Sequence, residues 1–71
     1  MDEDTLLIKL STSVDSAREA EELLSGKDPA DVKRLLGLAI QQVQGSVAYK
    51  CHTNGARERA SMLSSLLAEY H

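Results

Sequence analysis

Cys51 and His52 are the first adjacent pair whose types could do chemistry together, as a thiolate with its base or as two metal ligands. Such a pair works only where the two side chains meet in space. Neighbours on a helix point roughly 100° apart. Cys51 also lies four residues after Val47 and extends an apolar stripe. The expectation is therefore a buried structural thiol, with His52 as a solvated side chain near a helix end. One Cys and two His (His52, His71) fall short of a four-ligand zinc site without carboxylates, so no metal is expected.

The remaining constellations read the same way. Ser61, Ser64 and Ser65 fall on the polar side of a helix with no paired His and acid. Glu19, Glu21 and Glu22 cluster, but a carboxylate pair needs a pocket to shift its titration, and a solvated face is expected. Gly26, Gly37, Gly45 and Gly55 match no phosphate-binding loop. The cations Lys33, Arg34, Lys50, Arg57 and Arg59 are dispersed in a chain of net charge −3, with two Tyr and neither Phe nor Trp. Phosphate contacts and stacked aromatics both argue against a nucleic-acid partner. No catalytic residue and no cofactor site is expected, and the chain does not read as an enzyme.

The elements that position these residues read as helices, and no β alternation runs over five residues. The one sharp break is Ser25-Gly26-Lys27-Asp28-Pro29. Gly26 suits the left-handed residue after a helix, Asp28 can accept from free N–H groups, and Pro29 fits a first helical position. A helix over 3–25 would gather Leu6, Leu7, Leu10, Val14, Ala17 and Leu24 on one face. Ser11-Thr12-Ser13 is its soft spot, and the alternative is a short element over 4–10 followed by a helix capped by Ser13. A helix over 29–52 would carry Val32, Leu35, Leu36, Ala39, Ile40, Val43, Val47 and Cys51 on one face, with a thin second stripe of Leu38, Gly45 and Tyr49. Gly37 and Gly45, inside that helix, suggest close approach of another backbone. Thr53-Asn54-Gly55 marks a second break, in preference to one helix over 29–70. The last helix, over 56–70, places Ala56, Ala60, Leu63, Leu66, Leu67 and Tyr70 together with Met62 beside them. The fold class is all-α, an antiparallel helical hairpin or a three-helix arrangement, as one domain over 1–71.

Seventy-one residues bury little. A core this small supplies about 3–5 kcal/mol of net stability, and disulfides, a metal or a partner make up the shortfall. With one Cys and no zinc set, self-association or another helical protein is the expected remedy. The acidic start Met1-Asp2-Glu3-Asp4 has the wrong charge for a secretory signal. The uncharged run Leu35 to Tyr49 is short for a span. No membrane insertion and a cytoplasmic location are expected. Residues 1–31 carry −6 and residues 32–71 carry +3, which reads as attraction between the halves or as an acidic surface for a basic partner.

The first helix through Leu24, the turn Lys27-Asp28-Pro29 and the long helix from Ala30 resemble the small cytoplasmic co-chaperones of type III secretion needle subunits. Leu38-Ala39-Ile40-Gln41-Gln42 is similar to the needle subunits themselves. The resemblance implies a helical hairpin that pairs with a helical-repeat chaperone and keeps a needle subunit soluble. On the residues alone, the reading is a non-enzymatic interaction module, an adaptor or co-chaperone that binds another helical protein. Its outer surface would use Ile8, Leu23, Leu38, Gly45 and Tyr49, which fall off the main stripes. The alternatives are a homodimeric, antitoxin-like DNA-binding regulator and a self-assembling structural subunit.

Overall fold

The computed structural model describes residues 2–51 and 55–70, and all of its regular structure is helical: α1 (Glu3–Thr12), α2 (Ala17–Leu23), α3 (Pro29–Gln44), α4 (Val47–Lys50) and α5 (Ala56–Ala68). The expected break at 25–29 is present. Gly26 takes φ +83°, a left-handed conformation that costs other residues about 1–2 kcal/mol. Pro29 opens α3 behind Asp28, whose side chain accepts no capping bond.

The helix expected over 3–25 is two helices. The Ser11 and Thr12 hydroxyls both donate to the Ile8 carbonyl, at 3.2 and 2.6 Å, and Ser13 ends α1. Local hydroxyl bonds of this kind compete with the helix ladder. The second cap is Ser16, not Ser13. Its Oγ accepts from Glu19 N–H at 3.3 Å, while the Glu19 carboxylate accepts from Asp15 N–H at 3.4 Å, a variant of the Ser-x-x-Glu capping box. The break resets the helical phase, so Ala20 is buried where Ala17 was expected.

The helix expected over 29–52 also divides. Ser46 Oγ donates to the Val43 carbonyl at 2.6 Å and accepts from Tyr49 N–H at 3.1 Å, closing α3 and starting α4. Val47 and Cys51 leave the core face as a result, and both are exposed. Gly37 has open space around it, and Gly45 meets only carbonyls of its own helix, so within the chain no second backbone approaches either glycine. Thr53 and Asn54 of the expected second break, with His52, lie outside the described residues. Gly55 has φ +65° and precedes α5. The face expected for α5 is the observed one: Ala56, Ala60, Leu63 and Leu66 are buried, with Met62, Leu67 and Tyr70 half-buried beside them.

Two cross-helix pairs fix the register of α1 against α3. Arg34 Nη1 donates to Glu3 Oε1 at 2.7 Å, and Ser11 Oγ, whose one proton is shared with the Ile8 carbonyl, lies 3.3 Å from Gln42 Oε1. Both pairs are 31 residues apart, so the two helices run side by side in the same direction rather than antiparallel. The segment with α2 carries the chain back to the start of α3. The first turn of α5 meets the C-terminal end of α1, so α5 runs the opposite way, and its packing on α3 is the most extensive in the fold.

Among the described residues, fifteen buried apolar side chains form one core. The accessible surface is 4408 Å² for 7.7 kDa, against about 4,300 Å² for a compact monomer of that mass. The radius of gyration is 11.1 Å, against about 11 Å for a domain of this length. The chain by itself packs its core as compactly as a monomeric domain of that mass.

Candidate interaction surfaces

The five residues expected on the outer surface occupy three places. Ile8 and Leu38 flank the seam between α1 and α3. The 31-residue register sets Glu3 beside Arg34, Leu7 level with Leu38, and Ser11 beside Gln42. The middle step is apolar and its outer side is open: Leu7 is buried, Leu38 is 37 % exposed, and Ile8, next along α1, is 59 % exposed. Leu23 is half-buried in α2. Gly45 is the exposed C-cap of α3, and Tyr49 is half-buried against the core. The stripe of Leu38, Gly45 and Tyr49 does not exist, because α3 ends at Gln44.

The seam carries its own electrostatics. Arg34 lies 2.7 Å from Glu3 and 3.7 Å from Asp31. The hydrogen bond and charge of Arg34 hold the Glu3 carboxyl below the usual carboxylate range, and Glu3 in turn raises Arg34. Asp2, which accepts from Thr5 N–H at 2.8 Å at the start of α1, is lowered by that bond. A carboxylate with a depressed folded pKa stabilises at pH above its unfolded value, and that contribution vanishes as pH falls through the folded value. A carbon-detected NMR titration should place the Glu3 midpoint below that of a free Glu, and Arg34→Met should return it to the ordinary range. An unshifted Glu3 in the parent protein would remove the ion pair from the seam in solution.

On the opposite flank of α1, Lys9, Ser13, Val14, Glu19, Glu22 and Leu23 line an open notch of about 380 Å³ against α2. This feature was invisible while 3–25 read as one helix, since it exists only because the chain turns at 13–16. Its signal in the sequence was Ser16-Ala17-Arg18-Glu19. Val47, 76 % exposed on α4, is the most open large apolar side chain among the described residues and was expected in the core.

The cations do not assemble into a stripe. Arg34 is held by Glu3 and Asp31, and Arg57 lies 4.4 Å over the Tyr49 ring. The Arg59 side chain is 12 % exposed. Its Nε donates to the Val14 carbonyl at 3.0 Å, its Nη1 to the Ser11 carbonyl at 3.4 Å, and its Nη2 lies 3.8 Å from Asp15. Arg59 thus caps the C-terminal end of α1, where unpaired carbonyls collect. Charge reversal there would report on folding rather than on nucleic-acid binding. Cys51, expected as a buried thiol, is exposed at the C-cap of α4. Glu19, Glu21 and Glu22 form the solvated face expected of them.

Among the described residues no group of three or more His, Cys, Asp or Glu could hold a metal ion, and no helix is long and apolar enough to cross a membrane. No family model, no curated protein and no solved structure matches the chain.

Proposed function

We propose that this protein is a non-enzymatic interaction module that holds an amphipathic helix of another protein along the outer side of the α1–α3 seam. The observation that supports this reading is the pairing of Ile8 and Leu38. They are two of the three large apolar side chains exposed among the described residues, and both flank one seam in a chain whose core is otherwise closed. Apolar residues on adjacent, parallel helices offer a shallow track into which a helix can set residues spaced three and four apart. Glu3 and Arg34 at one end and Gln42 at the other give that track polar ends. A co-chaperone of a secretion needle subunit is one case of this reading, with the needle subunit or its helical-repeat chaperone as the bound helix.

The test places a photo-crosslinking amino acid at position 8, at position 38 and, as a control, at exposed Arg18 on α2. The expected result is the same crosslinked partner from 8 and 38 and its absence from 18. The Ile8→Asp and Leu38→Asp variants should abolish that crosslink from the remaining seam position while leaving helicity unchanged. Equal labelling from all three positions would overturn the assignment.

A further inference from the structure

We propose that the notch between α1 and α2 receives the α4 corner of a second copy of this chain, with Val47 entering the notch and Lys50 facing its acidic lip. This association is independent of the α1–α3 seam and uses neither Ile8 nor Leu38. Both halves of the contact are visible in one copy. The notch has an apolar floor of Val14 and Leu23, and its α2 lip carries Glu19 and Glu22. Arg18 approaches Glu22 only at 3.8 Å with both side chains exposed, and Lys9 stands on the α1 lip. Glu21, also exposed, adds to the negative charge of α2.

The corner supplies the complement. Val47 projects 76 % exposed from α4, a single apolar knob small enough for a notch of about 380 Å³. Lys50 follows one turn later on the same side of α4. Arg57, stacked on Tyr49, adds a second cation at that corner. Glu19 and Glu22 on the lip and Lys50 and Arg57 at the corner are opposite charges not used by the intrachain pairs of Arg34 and Arg59. Notch and corner are different surfaces, so two copies either exchange corners about a two-fold axis or join head to tail, each giving its corner to one neighbour and its notch to another. Because the monomer closes its own core, the association is weak, salt-sensitive and secondary to folding.

The test is sedimentation of the full chain over a concentration series at low and high salt. The parent protein should gain mass with concentration at low salt and lose that gain at high salt. Val47→Asp removes the knob, and Glu22→Lys reverses a charge of the lip. Val47 and Glu22 are exposed and neither side chain caps a helix, so circular dichroism should show parent helicity for both variants. Each variant alone should associate at least about tenfold more weakly than the parent. Mixed, they should form a complex of one copy of each, because the Val47→Asp protein keeps its notch and the lip variant keeps its corner. A parent chain that stays monomeric at low salt, variants that still self-associate, or a mixture that recovers nothing would each overturn the proposal. So would a notch that binds a Lys- and Leu-rich amphipathic peptide while the parent stays monomeric, since the occupant would then be a foreign helix. Ile8→Asp should leave this association unchanged, which separates its failure from that of the seam.

Discussion

Leu63→Ala should leave the protein largely unfolded at body temperature. Leu63 is fully buried at the middle of α5 and faces the α3 layer that holds Leu35, Leu36 and Ala39. Truncating a buried Leu removes its transfer free energy and leaves a cavity, at a combined cost of about 2–5 kcal/mol. A domain of this size holds only about 3–5 kcal/mol in total. Each kcal/mol moves the midpoint by about 4–8 °C in a 60–100-residue domain. Thermal and urea unfolding followed by circular dichroism should therefore show a midpoint lowered by at least about 10 °C, or no cooperative transition. Leu36→Ala, on the facing helix and equally buried, should behave alike. Leu38→Ala, one residue past the core face of α3, should stay within about 1 kcal/mol of the parent. A Leu63→Ala protein with parent stability would mean that the α3–α5 layer is not the core.

The contrast between Leu36 and Leu38 was legible in the sequence, and the fate of Val47 was not. Within α3 the helical phase runs unbroken from Val32 to Val43, so a stripe drawn on the sequence falls on the buried residues. The same holds from Ala56 to Leu66 in α5. Gly26 and Pro29 were readable because their backbone chemistry is local. The misreadings share one physical cause. Ser, Thr and Gly runs at 11–16 and 45–46 can either continue a helix at modest cost or end it through side-chain bonds to nearby backbone. Ending it rotates everything downstream. Ala17, Val47 and Cys51 were assigned to the core by extending a phase that the chain resets before reaching them. Ser16 with Glu19, three residues later, is a capping-box pattern and could have located the first reset. The second rests on Ser46 alone, a weaker signal.

The site divided along the same line. Ile8 and Leu38 followed from their distance off an intact stripe. That they share one seam depends on α1 and α3 running parallel, which Glu3 with Arg34 and Ser11 with Gln42 establish. Arg59 had no one-dimensional signal at all, since its acceptors are backbone carbonyls 45 and 48 residues away. Any Arg on a polar-looking stretch reads as solvated until the fold brings a helix end against it.

Arg59→Met should cost about 1.5–3 kcal/mol, the range for hydrogen bonds made by a charged group. The substitution keeps most of the apolar stem and removes every donor. The Val14 and Ser11 carbonyls then lose their partner at the end of α1, on the inner side of the 13–16 turn. Arg59→Lys should recover only part of the loss, because a single ammonium cannot reproduce the planar fork that spans two carbonyls. Asp15→Asn should change little: its carboxylate is exposed and lies 3.8 Å from the guanidinium. Arg57→Ala, two residues away, should lose no more than the 0.5–1 kcal/mol typical of an exposed cation–π pair. Urea denaturation ranks the four variants. Hydrogen exchange adds a readout that general destabilisation would not mimic. Without its clamp, the 13–16 turn should open with α2, so the Ala20 and Leu24 amides should exchange faster before those of α3 do. If Arg59→Met matches Arg57→Ala in stability, or if α2 and α3 lose protection together, then Arg59 does not clamp the two-helix N-terminal unit onto α5.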